Sequence, residues 1–403
     1  MSMMRTIVAF VGLALVGVSA QSQCDPTLIF ENTTTNAVCV SVEGAVRTVY
    51  TNALPDHETG VFPNAGNPNA IKAQRITLTM CAEPRLAPSK TVLDQGSGSC
   101  PFWVFGVGIN GLEFDPIANE FFRNSSSGQL NRSWNLNALS PNVNLGLDVN
   151  QAHVQPNGKY HYHGNPIKFI ESLNIGPTAH SPIIGYAADG FPMYFRYVYG
   201  DPTGGLTAII DASSCHQLKE GVRPGDGVSA PNGTYDGTYT QDYEYVARTE
   251  CVLDECNGRF GVTPEYPNGT YYYVMTETFP VIPRCLSGYP DKAFTIGPPQ
   301  MGCATSNASQ ICTVSGIESD PAAMMEQIEI TPNPVLSRLS LRFHSPDIEH
   351  HVTLLRIFDI EGREVASIRD VANGIDVSTL LSGTYYARVY VGGAEITKVF
   401  VKR

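Results

Sequence analysis

Along most of the chain, apolar residues come in short runs rather than at helical intervals. Ile76-Thr77-Leu78-Thr79-Met80 and Phe102-Trp103-Val104-Phe105-Gly106-Val107 are rich in β-branched and aromatic side chains, and frequent Gly and Pro separate such runs up to about residue 300. That pattern predicts strands joined by loops. No long run with a 3.6-residue period stands out, so long helices are not expected. Towards the C-terminus the alternation sharpens. Arg338-Leu339-Ser340-Leu341-Arg342-Phe343, Leu355-Arg356-Ile357-Phe358-Asp359 and Tyr385-Tyr386-Ala387-Arg388-Val389-Tyr390 place apolar residues at alternate positions, which buries one face of a strand and wets the other. The fold class expected is mainly β: a disulfide-stapled β-rich domain with long loops, then a small Ig-like antiparallel β-sandwich.

Length and composition divide this pattern into parts. The chain has 403 residues, 42% hydrophobic and 16% charged, which is folded material too long for one core. Arg5, the apolar or glycine run Ile7 to Val18 and the small residues Val18-Ser19-Ala20 read as a signal peptide, residues 1–20. The run is shorter than the roughly 20 residues that span a bilayer. Gln23 before Cys24 does not fit a lipid-modified cysteine. The aromatics thin out after Ser315, and Asp320-Pro321-Ala322-Ala323 leads to a new strand-like run, so a linker is placed at 319–327 between a front domain, 21–318, and a tail, 328–403. Ten cysteines, all in front of the tail, predict disulfides in an exported chain. No Cys-x-x-Cys pair supports a zinc ribbon or a thioredoxin-like site. Cys251 with Cys256 and Cys303 with Cys312 are plausible local bridges, and the pairing stays open.

The net charge is −12. Residues 328–403 hold nine basic and nine acidic side chains, leaving 17 against 29 in front. An acidic domain repels phosphate backbones, which excludes nucleic acid as the expected partner.

The tail resembles a known family. Ile330-Thr331-Pro332-Asn333-Pro334, Phe358-Asp359-Ile360-Glu361-Gly362-Arg363, Leu381-Ser382-Gly383-Thr384-Tyr385-Tyr386 and the basic end Lys398-Val399-Phe400-Val401-Lys402-Arg403 are similar to the C-terminal sorting domain of type IX secretion cargo. The resemblance implies recognition by the type IX machinery through residues 328–403, and release or attachment at the surface of a bacterium of the Bacteroidetes kind. A generic adhesion or carbohydrate-binding sandwich is the other reading of such a fold.

The residues with the most chemistry lie between Gln151 and Gly164. Tyr160-His161-Tyr162-His163 follows a turn, so on a strand His161 and His163 share one face and the tyrosines the other. A hairpin would bring His153 over the same pair. Three imidazoles on one face suit zinc or copper with a position left open, and His180 is a candidate fourth ligand. Asp189, in an Ala-Asp-Gly turn, is a candidate for orienting an imidazole or for acid–base work, with a turn-forming Asp as the plain alternative. Asp254 and Glu255 beside Asn257 make an oxygen-rich loop suited to acid–base work or calcium, without EF-hand spacing. His344, His350 and His351 read as surface residues of the tail. No Gly-x-Ser-x-Gly elbow and no dinucleotide or phosphate loop is present. Pro-Asn-Gly-x-Tyr recurs at 156–160, 231–235 and 267–271, each expected to be a tight turn feeding a strand; reuse of good turn chemistry is favoured over duplication.

Tyr160-His161-Tyr162-His163-Gly164, the segment His180 to Tyr194, Leu253 to Arg259, and Thr263 to Tyr271 continuing to Phe279-Pro280-Val281-Ile282-Pro283-Arg284 together resemble the YHYH domain family, over about 75–300. Phe195 stands where that family's glycine is expected after Pro-x-Tyr. The resemblance names a domain without naming a reaction. The expectation drawn from the residues is an exported metal-binding protein, a metal-dependent hydrolase in its sharper form. The alternatives are a surface module binding a glycan or small molecule, and a purely structural hairpin.

Overall fold

Short strands carry nearly all of the regular structure. The computed structural model describes residues 24–94, 102–202, 208–248, 250–296, 307–312, 328–344, 352–368, 374–391 and 394–403. The expected signal peptide, the linker, the Gly96-Ser97-Gly98-Ser99 loop, Cys100, Cys303, His350 and His351 lie outside the described residues. The α-helices described are one or two turns long: Pro26–Glu31, Ile167–Ser172 and Ala308–Cys312. None of the described helices is long and apolar enough to cross a membrane.

Strands β1 (Val38–Glu43), β2 (Val46–Thr51) and β3 (Ile76–Cys81) form an antiparallel sheet in that order. Behind it stands an eight-stranded sheet of β4 (Gly106–Gly108), β5 (Glu113–Phe114), β6 (Ala152–Val154), β7 (Tyr160–Tyr162), β8 (Ile183–Ala187), β9 (Pro192–Phe195), β10 (Gly258–Gly261) and β11 (Thr270–Met275), in the order β6-β7-β5-β4-β8-β9-β11-β10. The run read as one strand from Phe102 is broken. Phe102–Trp103 pairs with Thr295–Ile296, and at Val104 and Phe105 the backbone turns its hydrogen bonds to Phe294 and Phe114 before joining the large sheet as β4.

That sheet is a duplication. Hairpin β4–β5 is followed by hairpin β6–β7, with β7 parallel to β5; hairpin β8–β9 is followed by hairpin β10–β11, with β11 parallel to β9. Strands β4 and β8 pair antiparallel about Val107 and Tyr186, so a pseudo-twofold axis passes between the halves. The register agrees throughout. Ala152, His153 and Val154 face Tyr162, His161 and Tyr160, as Gly258, Arg259 and Phe260 face Tyr273, Tyr272 and Tyr271. Local devices repeat as well. Gln151 and Asn257 both take φ 50°, and Gly111 and Gly190 take φ 79° and 91° in the β4–β5 and β8–β9 turns. Two of the three Pro-Asn-Gly turns, ending at Tyr160 and Tyr271, occupy equivalent places before β7 and β11. The middle one feeds no strand and makes only a Thr234–Val222 bridge. Duplication, the less favoured reading of the sequence, explains the outer pair.

The main core joins Phe114, Tyr160, Tyr162, Met193, Tyr271, Tyr273 and Met275 of the large sheet to Val49, Leu78 and Met80 of the small one. On the opposite face of the second half, Tyr194, Val198, Ala212, Leu253, Tyr272 and Val274 make a smaller apolar cluster. Four disulfides join described residues of the front region: Cys24–Cys39, Cys81–Cys312, Cys215–Cys251 and Cys256–Cys285. The local bridges considered from sequence are not formed. Cys251 closes a ribbon through Cys215, Cys312 reaches back to β3, and the Asp254 turn directs Cys256 into the core, where it meets Cys285.

The tail is a sandwich. Ile328–Thr331, Arg338–Phe343 and Ile375–Asp376 form one sheet; Val352–Phe358, Glu364–Ile368, Gly383–Val391 and Ala394–Lys402 form the other. Leu339, Leu341, Leu355, Ile357, Val389 and Phe400 fill the space between them. His344 is exposed.

Candidate metal centre

His153 and His161 face each other across the β6–β7 hairpin, so both rings leave the sheet on one side, and His163 follows two residues later on that side. The hairpin closes through Gly158, whose φ of 92° suits glycine. Nε2 of His163 lies 3.0 Å from Nε2 of His153 and 3.1 Å from Nε2 of His161. A tetrahedral ion with bonds of about 2.0–2.1 Å holds its ligand nitrogens roughly 3.3 Å apart, so an ion needs the rings to open by only a few tenths of an ångström.

The hydrogen bonds around the rings favour a cation. Nδ1 of His153 lies 2.8 Å from the Leu145 carbonyl, and Nδ1 of His161 lies 3.3 Å from that of Lys159. A carbonyl only accepts, so both Nδ1 atoms carry the proton and both Nε2 atoms present lone pairs. The one proton that His163 can place on Nε2 serves only one of its two contacts, and the other sets lone pair against lone pair. A positive ion among the three nitrogens removes that conflict. Burial, then the neighbouring imidazoles, holds His161 and His163 well below the usual histidine range, and burial lowers His153. Neutral imidazole is the form that binds metal.

The other face of the hairpin is scaffold. The Tyr160 hydroxyl donates to Asp148 at 2.7 Å, and Asp148 also accepts from the Asn150 N–H. The Tyr162 hydroxyl accepts from Asn110 at 2.9 Å and meets His57 Nε2 at 2.6 Å.

The second half supplies an internal comparison. Asp254 holds Tyr271 at 2.8 Å and the Cys256 N–H, as Asp148 holds Tyr160 and the Asn150 N–H. Asp189 accepts from Tyr273 at 2.5 Å where Asn110 bonds Tyr162. At the places of His153, His161 and His163 stand Arg259, Tyr272 and Val274. The scaffold is thus common to both halves and the cluster of three imidazoles belongs to one. On that face the second half is closed by apolar packing. The first half presents the histidines beside Glu113 and Asp115, both buried. Glu113 pairs with Lys159. Burial, then Glu113, pushes Asp115 up to about 7, and its Oδ1 has no hydrogen-bond partner.

The other sequence candidates do not join the triad. His180 bonds the Ser181 carbonyl through Nδ1 at 2.7 Å and packs on Tyr194 and Tyr199 in the second half. Asp189 is occupied by Tyr273 and the Gly288 and Phe191 N–H groups. Asp254 is occupied by its own turn and Tyr271. Glu255 is exposed and pairs with Lys90. Phe195 is a buried residue of β9. Glu113 and Asp115 escaped the sequence reading because they reach β7 through a parallel pairing between distant segments; their one local signal was alternation in Glu113-Phe114-Asp115.

A family model described as YHYH protein matches residues 77–288, and one described as secretion system C-terminal sorting domain matches residues 329–403. The tail therefore marks a protein secreted or attached at the cell surface and implies an interaction with the type IX machinery. No curated protein matches the chain. One solved structure is similar, from work titled as probing PorZ, a surface component of the type-IX secretion system of Porphyromonas gingivalis. It has 12% identity and a TM-score of 0.22, over 90% of this chain and 59% of that one, so this chain spans less than two thirds of its length.

Proposed function

The chain belongs to the YHYH protein family, and we propose that it is an exported metal-binding protein in which His153, His161 and His163 hold one zinc or copper ion. The observation that carries this reading is the convergence of three Nε2 atoms with too few protons for their contacts. The duplicated half supports it, because the same scaffold there carries Arg259, Tyr272 and Val274 at the three histidine places. Domain limits of 21–318 and 328–403 belong to the same proposal. In its sharper form the protein is a metal-dependent hydrolase: a three-histidine ion leaves a position open, where it would polarise an oxygen and lower the pKa of bound water to about 7. Asp115 is the protein group proposed to exchange a proton there, since it follows Phe114 as His163 follows Tyr162, the partner of Phe114 in the register. Asp189, Asp254 and His180 are assigned to the scaffold.

Metal binding to the folded state alone raises stability by about 2.7 kcal/mol at a hundredfold excess over Kd. For a domain of this size that is a rise in Tm of roughly 4 °C. Zinc or copper added to the metal-stripped protein should produce such a shift in the wild type and none in His161→Ala/His163→Ala. Equal shifts in both would refute the ligand assignment.

A further inference from the structure

Beside the triad lies a cavity of about 210 Å³, lined by His163, Gln151, Asn137, Tyr243, Phe279 and Arg284 among others. His163 belongs to both, so the cavity adjoins the metal position. Arg284 is its unusual member. Nε and Nη1 of its guanidinium are buried and have no hydrogen-bond partner. Leaving a charge so placed costs several kcal/mol. Asp94 and Asp115 favour it through space, yet neither accepts a hydrogen bond from these two nitrogens, and burial brings the guanidinium down to about 10. Aromatic packing holds it there. Its carbon sits 5.4 Å from the Phe279 ring centroid, and Phe279 stacks on Tyr243 at 3.8 Å and 10°. The acid on the cavity wall, Glu277, is bound at 3.0 Å by Arg196.

We propose that this cavity is the ligand pocket of the metal site and takes a molecule bearing an oxyanion, a carboxylate, sulfate or phosphate group, that pairs with Arg284. This rests on the metal reading for its catalytic meaning, but the anion contact is a property of the chain alone. A guanidinium offers a planar fork to two oxygens, and its value rises out of water. An anion there would satisfy Nε and Nη1, and would set the rest of the molecule against the open position beside His163.

The test uses the mature protein in metal-stripped and zinc-loaded forms, titrated with inorganic phosphate, sulfate and acetate by calorimetry. At least one anion should bind saturably, and Arg284→Gln should weaken it tenfold or more, with Arg284→Lys recovering part of the loss. Which of the three binds identifies the oxyanion. Metal content of Arg284→Gln should equal that of the wild type, and its Tm should be unchanged or higher, because a buried guanidinium with two unpaired nitrogens has gone. Anion binding that persists in protein without metal-binding capacity leaves the pocket standing and removes only the metal reading. No saturable binding of any of the three anions in either form overturns the proposal. So does undiminished binding in Arg284→Gln, or a large fall in Tm in both Arg284 variants, which would make the guanidinium structural.

Discussion

Burial holds His161 and His163 uncharged in the folded protein, whereas in the unfolded chain both titrate near 6.5. Between those limits the unfolded state binds more protons, so this part of the stability is complete above 6.5 and is lost as pH falls below it. Asp115 works the other way: raised to about 7, it makes folding less favourable as pH rises towards 7. With Asp115 and Asp189 common to both proteins, lowering the pH from about 6.5 should therefore cost the metal-free wild type more Tm than a variant with all three histidines changed to asparagine. Equal losses would contradict the burial of neutral imidazoles. The histidines were legible in the sequence because alternation and one turn suffice to bring 153, 161 and 163 together. Asp189 and Asp254 were legible too, but the fold gives them partners other than the histidines. They are conspicuous acids in turn motifs, but their oxygens are consumed by Tyr273, Tyr271 and nearby N–H groups.

The hairpins show what local pattern can and cannot fix. Pro156 to Tyr160 reads directly as a turn, and β7 follows it. The same motif at 231–235 lacks a partner strand and stays a loop. The symmetry of the large sheet depends on two parallel pairings, β7 with β5 and β9 with β11, which no local pattern encodes. Disulfide connectivity was hidden for the same reason: the Cys256–Cys285 bridge joins the turn before β10 to the segment just after Arg284. Replacing both cysteines by serine should lower stability by about 2–5 kcal/mol. Thermal unfolding of the double variant would show a fall in Tm of several degrees, and an unchanged Tm would mean that the bridge does not constrain the front domain.

Across the molecule, the tail and the front region have separate cores. The alternation of the tail was readable because each strand is wet on one face. The fold of the front region was readable only as mainly β, since its sheet is covered on both sides. With transport assigned to the tail, deleting 328–403 should leave the protein in the periplasm, and normal surface delivery of the truncated form would refute that assignment. The ion is what the proposed chemistry of the front region depends on. Elemental analysis of the mature chain, purified without chelator or metal-affinity tag, should give close to one zinc or copper per molecule, lost in His161→Ala/His163→Ala; no metal in either protein, even after reconstitution, would contradict it.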